Sequence, residues 1–423
     1  MRFRRRLEFI AMIIALVVVL VSQIGISAIE AAETYRIGAV LSSSGVLAVY
    51  GEEAFAAMEA VAERINSSGG LLGRKIELFK RDETTNVATA VREARDIIMR
   101  DNVEAMIATC SSATVLGVQQ ITKEFKVIQI STIANTEKAT LEGIHPYFYR
   151  TVLNTYMESV AAAKYLATQD FKTWAFFGAD YEWGHSTNDI LTDLMPKYKP
   201  AVKKVGEFWF PLNETNYASY ITAMLNKQPD IVIGILSGSN FQSFIRQATG
   251  YQFFKKVKWL SNGYESEVMP LGREFPEGIR FWDRAPFYGI PDSNPDKKIL
   301  REAILKSKLK RMPSLMGVYT YDAMLCLTEA VKRAGSFNRD AIARALETGK
   351  FNTLRGELYF RDIDHQMNSP QFFATSVYDE KLGYCTGKDV VKIPGEECWR
   401  SAEEIKKIRA EKGIEFTPWS ARK

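Results

Sequence analysis

The stretch Tyr35–Asp82 reads YRIGAVLSSSGVLAVYGEEAFAAMEAVAERINSSGGLLGRKIELFKRD and decides the fold of this chain. Its first segment, Tyr35–Leu41, is short and apolar and is followed by small residues, which is typical of a buried strand. Apolar residues then recur at helical spacing from Glu52 to Ile65, and the letters NSSGG end the predicted helix. Lys75–Lys80 begins a second strand. A strand–helix–strand unit of this kind leaves a crevice at the carboxyl end of its first strand, where open α/β sheets bind ligands.

The alternation of strands and helices continues along the chain in two series. The first series runs to a crossing at Phe148–Thr151, and the second runs from Thr155 to Ser261 with a return crossing at Ile279–Arg284. Three helices between Pro295 and Glu347 rejoin the first series, and two closing strands, Gly356–Arg361 and Phe372–Tyr378, have a third crossing between them. Strands that alternate with helices of this length predict parallel sheets. We therefore expect an α/β fold with two Rossmann-like lobes.

The N-terminus has the order of regions found in a secretory signal peptide. Four arginines lie within the first six residues, Phe9–Val21 is apolar, and small residues follow up to Ala32. An uncleaved N-terminal anchor is the alternative. We predict a signal peptide at 1–32, a first lobe at 33–151 and 285–362, a second lobe at 152–284 and 363–390, and an exposed charged tail at 391–423.

Charge and length limit the class of protein. The formal net charge of +5 falls to +3 when residues 1–32, with four arginines and two glutamates, are removed. A nearly neutral chain without a basic stripe gives no support for nucleic-acid binding. The 423 residues exceed one ordinary domain, which agrees with two lobes.

The cysteines suggest a structural bond rather than metal or redox chemistry. Export permits disulfides, and Cys385 and Cys398 lie 13 positions apart in a segment that we interpret as a loop. We predict that these two form a disulfide. Cys326 belongs to an apolar helical stripe and is expected to be a buried thiol. No CxxC motif occurs, so no metal site and no cofactor are expected.

Catalytic motifs are missing, whereas material for a binding site is present. The three histidines are far apart in sequence, and no Walker A, HExxH or GxSxG sequence occurs. By contrast, Ser111 and Ser112 follow a strand and open a helix. Backbone N–H groups at such a helix start, with a serine hydroxyl, can bind a carboxylate. Ordinary N-capping by either serine is the alternative interpretation.

These segments together resemble the leucine/isoleucine/valine-binding family of periplasmic solute-binding proteins. The likeness covers Tyr35–Tyr384 and includes a loop ending in Tyr50-Gly51 and the run Thr109-Cys-Ser-Ser-Ala-Thr114. It implies two lobes joined by a three-strand hinge, with a ligand between them. It also implies that Cys110 is free, because Thr85 stands where the family can have a cysteine partner.

The resemblance also implies which individual residues of this chain contact the ligand. In the first lobe it implies Tyr50 at the cleft mouth, Ser111 on the ligand carboxylate, and Ile133 and Asn135 facing the ligand. In the second lobe it implies Trp183 as an aromatic wall. Ser112 shares the helix start and completes the predicted first-lobe set.

Two second-lobe positions depart from the family pattern. Gly263 stands where the family has a glutamate for the α-ammonium group, and Ser237 stands where it has a tyrosine. An unpaired buried ammonium is costly. Either Glu265 or Asp180 replaces the missing carboxylate, or the ligand has no α-amine.

The function expected from this resemblance is a periplasmic substrate-binding component of an ABC importer. Its partners would be a membrane permease and a small polar solute of the branched-chain amino acid, amide or organic acid type. A sensory protein of the same fold that reports to a membrane receptor is the alternative. A secreted hydrolase lacks any nucleophile–base arrangement in the sequence.

Overall fold

The computed structural model describes residues 34–422. The predicted signal peptide at 1–32 lies outside these residues. No helix within them is long and apolar enough to cross a membrane.

The first part of the chain alternates strands and helices. Its elements are β1 (Tyr35–Leu41), α1 (Ala48–Ser67), β2 (Ile76–Asp82), α2 (Val87–Asp101), β3 (Ala105–Ala108), α3 (Ser112–Phe125), β4 (Ile128–Ser131), α4 (Lys138–Leu141) and β5 (Phe148–Arg150).

The second part repeats this alternation. Its elements are α5 (Thr155–Ala167), β6 (Thr173–Ala179), α6 (Glu182–Tyr198), β7 (Lys203–Phe210), α7 (Ala218–Lys227), β8 (Ile231–Ile235), α8 (Ser239–Gly250), α9 (Phe253–Lys256), β9 (Lys258–Asn262), α10 (Glu265–Val268) and β10 (Arg280–Asp283).

The last part contains both long helices and closing strands. Its elements are α11 (Pro295–Lys306), α12 (Leu315–Ala334), α13 (Arg339–Thr348), β11 (Lys350–Thr353), β12 (Gly356–Tyr359), β13 (Gln371–Asp379), β14 (Tyr384–Ile393) and α14 (Ala402–Glu411).

The strands form two large sheets, each the centre of one lobe. Lobe 1 has a parallel five-stranded sheet in the order β2-β1-β3-β4-β5. Lobe 2 has a seven-stranded sheet in the order β14-β13-β10-β9-β8-β6-β7, in which β13 and β14 pair antiparallel. Helices cover the faces of both sheets, and for that reason most of the strands are apolar throughout. The predicted two-lobed α/β fold is confirmed.

Three crossings connect the lobes. The chain passes from β5 to α5, from β10 to α11, and from β12 to β13. Two of these segments pair with each other, since the N–H of Arg150 donates to the carbonyl of His365 at 3.1 Å and the N–H of Met367 donates to the carbonyl of Arg150 at 3.0 Å. This pairing makes the hinge a small piece of ordered structure rather than two loose linkers.

The predicted disulfide is wrong. All four cysteines are free thiols, and Cys385 and Cys398 are buried in separate places. The segment between them is the extended strand β14, which rises about 3.3 Å per residue and carries the two cysteines apart. The sequence of this strand resembles a loop because five consecutive positions, Lys388 to Lys392, are exposed and show no alternation of buried and exposed residues.

The prediction of an exposed C-terminal tail is also wrong. The side chain of Arg409 on α14 donates to the carbonyls of Leu141 and Thr140 at 2.9 and 2.8 Å. Trp419 is buried, and its indole N–H donates to the carbonyl of Pro146 at 2.7 Å. The tail therefore packs on lobe 1.

Candidate functional site

A small cavity lies between the lobes, where loops that follow the carboxyl ends of strands from both sheets meet. In this arrangement of the lobes the cavity has a volume of only about 20 Å³. Lobe 1 contributes Leu47, Tyr50, Cys110, Ser112, Ile133, Asn135 and Met316, and lobe 2 contributes Tyr181, Trp183, Ser237, Tyr264 and Arg284. The position agrees with the general rule for ligand sites in open α/β sheets.

The loop after β1 brings Tyr50 to this cavity because Gly51 permits a close approach. A Cβ atom at Gly51 would lie 2.0 Å from the carbonyl oxygen of Ser42. Only glycine allows α1 to begin against the backbone of this loop. The Tyr-Gly pair that was noted in the sequence thus has a steric reason.

Six of the nine predicted site residues line the cavity: Tyr50, Ser112, Ile133, Asn135, Trp183 and Ser237. Three do not, namely Ser111, Gly263 and Glu265. That the six bind a ligand remains a prediction, whereas the placement of the other three needs correction.

Ser111 caps a helix instead of lining the cavity. Its hydroxyl oxygen accepts a hydrogen bond from the N–H of Ala113 at 3.2 Å at the start of α3. The next residue, Ser112, turns into the cavity, where its hydroxyl lies 3.4 Å from the amide oxygen of Asn135. The capping alternative therefore describes Ser111, and the cavity position belongs to Ser112.

The proposed carboxylates for an ammonium group lie elsewhere. Glu265 is buried and accepts hydrogen bonds from the N–H groups of Phe287 and Tyr288, both at 3.1 Å. Burial and the nearby Asp283 hold the pKa of Glu265 well above its usual range. Asp180 pairs with His185 at 2.7 Å on the surface. A Cβ at Gly263 would lie 2.5 Å from the ring of Phe281, so this glycine makes room for a neighbouring side chain.

Sequence reasoning missed the ion pair at the back of the cavity. The Nε and Nη2 atoms of Arg284 donate to the two carboxylate oxygens of Glu158, each at 2.8 Å. Asn135 donates to the same carboxylate at 3.0 Å. Arg284 and Glu158 are 2 % and 1 % exposed. Arg284 immediately follows β10, and a charged residue directly after a buried strand was the signal that could have found it.

The surroundings keep Arg284 charged. Burial by itself lowers the pKa of Arg284, but the Glu158 carboxylate together with the nearby Tyr264 and Tyr319 raises that pKa above its ordinary value. The guanidinium carbon lies 5.0 Å from the ring centre of Tyr264 and 5.4 Å from that of Trp183, distances at which an aromatic face attracts a cation. A buried cation with this support can bind an anion.

A second buried cluster joins the lobes beside the cavity. The Tyr50 hydroxyl donates to the carboxyl group of Glu267, which also accepts from the N–H of Gly238 at 2.8 Å and from Asn262 at 2.6 Å. A Cβ at Gly238 would lie 2.1 Å from the carbonyl oxygen of Val46, and its φ is +54°. Glycine is therefore required where lobe 2 touches lobe 1.

The histidines take no part in this site. His365 is buried and lies 2.7 Å from Glu347, and burial lowers the pKa of His145 to about 3. His185 lies on the surface with Asp180. No group of three or more metal-ligating side chains occurs among the described residues.

Two α/β lobes, a three-segment hinge and a buried cavity between the lobes define a binding protein that encloses a small molecule. The family model described as "Periplasmic binding protein" matches residues 34–381. The chain belongs to the periplasmic binding protein family.

Curated relatives are similar along most of their length. The "Leu/Ile/Val-binding protein homolog 7" of Brucella suis biovar 1 (strain 1330) is 23% identical over 373 residues, which cover 84% of this chain and 92% of that protein. The "Leucine-, isoleucine-, valine-, threonine-, and alanine-binding protein" of Pseudomonas aeruginosa is 22% identical over 334 residues, which cover 78% and 86%.

Solved structures share the fold. A periplasmic binding protein from Burkholderia mallei superimposes with a TM-score of 0.79 at 22% identity, covering 88% of this chain and 98% of that one. A solute-binding protein of an ABC transporter from Rhodopseudomonas palustris BisB5, in complex with 3,4-dihydroxybenzoic acid, superimposes with a TM-score of 0.76 at 19% identity, covering 86% and 98%.

Proposed function

We propose that this protein is the periplasmic solute-binding component of an ABC importer for a small polar solute. Branched-chain amino acids, amides and organic acids form the range of candidates. The observation that carries the proposal is the buried cavity to which both lobes contribute side chains. A site divided in this way is complete only when the lobes come together, which couples ligand binding to closure.

Closure gives the ligand-bound form a distinct surface. The three hinge segments let the lobes separate, and the solute then has access to the side chains of each lobe. When the lobes close, Tyr50 meets Glu267 and Gly238 and the solute is shielded from water. A membrane permease can recognise the joint rim of the closed lobes. No catalytic step is part of this proposal, and the solute is released unchanged.

The names of related proteins support the proposal. The Pseudomonas aeruginosa relative is named for binding several amino acids, and the Rhodopseudomonas palustris structure is titled as an ABC transporter component. The arginine-rich start and apolar Phe9–Val21 segment support export to the periplasm. We include in the proposal the lobe limits predicted above, 33–151 with 285–362 and 152–284 with 363–390.

Uptake and binding together test this function. A thermal-shift screen over amino acids, amides and small organic acids should identify a solute that stabilises the protein, since a ligand at 100 times its Kd adds about 2.7 kcal/mol to the free energy of unfolding. Deletion of the gene should then abolish uptake of that solute. Unchanged uptake together with a lost transcriptional or motile response would establish the sensory alternative, and conversion of the solute by the purified protein would establish an enzyme.

A further inference from the structure

We infer that the ligand is a small carboxylic acid with an apolar body and no amino group beside its carboxylate. The inference rests on the proposed function, because it names the class of solute for the same cavity. Three features of the cavity carry it: unused hydrogen-bond donors, the absence of an available carboxylate in its lining, and an apolar wall.

The unused donors come from lobe 2. Among the described residues, the indole N–H of Trp183 and the hydroxyl of Tyr264 have no hydrogen-bond partner, and both side chains are at least nine-tenths buried. Arg284 uses Nε and Nη2 for Glu158, while Nη1 donates no hydrogen bond within residues 34–422. All three side chains line the cavity. Buried donors without partners are costly, so the ligand is expected to supply the acceptor atoms.

The cavity has no carboxylate that is free to pair with an ammonium group. Arg284 is the only ionised side chain among the lining residues that the structure describes. The carboxylate of Glu158 behind it is already occupied by Arg284 and Asn135. The other nearby carboxyl group, on Glu267, accepts from Tyr50, Gly238 and Asn262, and burial raises its pKa to about 8, so it is mostly uncharged at neutral pH. An ammonium group would face a fixed arginine without a counter-charge of its own.

Part of the remaining wall is apolar and comes from lobe 1, beside polar residues such as Ser112 and Asn135. Leu47, Ile133 and Met316 form this apolar part of the lining. The space between the closed lobes is about 20 Å³, close to the volume of one water molecule, so a larger ligand enters only when the lobes separate. A short aliphatic or single-ring acid fits both the donors and the apolar residues. Its carboxylate can accept from the lobe 2 donors, and its apolar body can contact the apolar residues of lobe 1.

Two matched sets of compounds test the inference on the purified full-length mature protein. One set is 4-methylpentanoate, leucine and 3-methylbutylamine, and the other is 3-phenylpropanoate, phenylalanine and 2-phenylethylamine. Calorimetric titration should give at least tenfold tighter binding for an acid than for its amino acid, and no binding for either amine. Tighter binding of an amino acid than of its amine-free acid would overturn the inference while leaving the proposed function intact. If no member of either set and no solute of the thermal-shift screen binds, the proposed function itself fails.

A pair of tryptophan variants tests the donor assignment. Trp183→Phe keeps an aromatic ring but removes the N–H, and should weaken binding of the preferred acid at least fivefold. Trp399→Phe is the matched control, because Trp399 also has a buried N–H without a partner among the described residues but does not line the cavity. Thermal unfolding without ligand checks that both variants fold. Equal affinities of Trp183→Phe and Trp399→Phe for the acid would overturn the role of Trp183.

Discussion

Tyr50 and Glu267, which lie 217 positions apart in the sequence, form a buried hydrogen bond that joins the two lobes. Tyr50 belongs to α1 of lobe 1 and Glu267 to α10 of lobe 2. The N–H of Gly238 donates to both, at 2.9 Å to the tyrosine hydroxyl and at 2.8 Å to the carboxyl group. The same tyrosine lines the cavity, so closure of the lobes and enclosure of the solute share one side chain.

Tyr50→Phe should weaken solute binding by destabilising the closed form. The change removes one donor to Glu267 and one acceptor for Gly238 but keeps the ring. A loss of about 1 to 2 kcal/mol is expected, which corresponds to about a fivefold to thirtyfold rise in Kd. Calorimetry measures this rise. Tyr35→Phe is the control in the same lobe, because the hydroxyl of Tyr35 is buried and has no hydrogen-bond partner among residues 34–422. Equal affinities of the two variants would contradict the role of the tyrosine.

Glu267→Gln should reduce the loss of stability that occurs as pH rises. Burial raises the pKa of Glu267 to about 8 in the folded protein, whereas an unfolded glutamate titrates near about 4.3. The folded state therefore keeps a proton that the unfolded state loses. The corresponding contribution to stability is complete below about pH 4 and is lost as pH rises towards 8, with a slope of up to about 1.4 kcal/mol per pH unit.

Urea unfolding between pH 5 and 8 measures this difference. The free energy of unfolding of Glu267→Gln should fall less steeply with pH than that of the wild type. Glu380→Gln is the control, because Glu380 is exposed and pairs with Arg273 on the surface. A Glu267→Gln slope equal to that of the wild type would show that this carboxyl group is ionised in the folded protein.

Ser111→Ala and Ser112→Ala should have different effects. Loss of the N-cap hydroxyl of Ser111 should lower the free energy of unfolding by about 1 kcal/mol and leave solute affinity nearly unchanged. Ser112→Ala should weaken binding, because Ser112 lines the cavity and its hydroxyl contacts Asn135 and the N–H of Thr136. Unfolding and binding are measured on the same two proteins. A larger binding defect in Ser111→Ala would restore the contact that the sequence resemblance implied.

Trp419→Ala should destabilise the protein although the residue lies only four positions from the end of the chain. The indole packs against Tyr147, and the backbone N–H of Trp419 donates to Glu347 at 2.7 Å. Truncation of a buried tryptophan costs about 3 kcal/mol or more. Chemical denaturation measures the change, with Glu415→Ala as an exposed control in the same tail. Two variants of equal stability would mean that the tail does not contribute to folding.

Sequence analysis predicted most of the regular elements because their signals are local. Strand β3, for instance, is buried along its whole length, and α2 is capped by Asn86, whose side chain accepts from the N–H of Thr89. Strand β14, by contrast, was not predicted, because local signals are absent from its sequence. Five consecutive positions from Lys388 to Lys392 are exposed, and the strand exists because β13 pairs with it along one edge. A strand that is exposed on both faces and is held by main-chain pairing with its hairpin neighbour has no hydrophobic period in its sequence.

The sequence by itself determined the two α/β series, the crossings and the loops at which a ligand site would form. The periods of strands and helices can be recognised from residues that are neighbours in the sequence. Once the strands are known, the ligand site is expected at their carboxyl ends. Only the tertiary structure decided which side chain of each loop enters the cavity: Ser112 rather than Ser111, and Tyr264 rather than Gly263 or Glu265. It alone also placed Arg284 beside Glu158, 126 positions away. The physical reason is that the direction of a loop side chain, and the partner of a buried charge, are set by the packing of elements that are far apart in the chain.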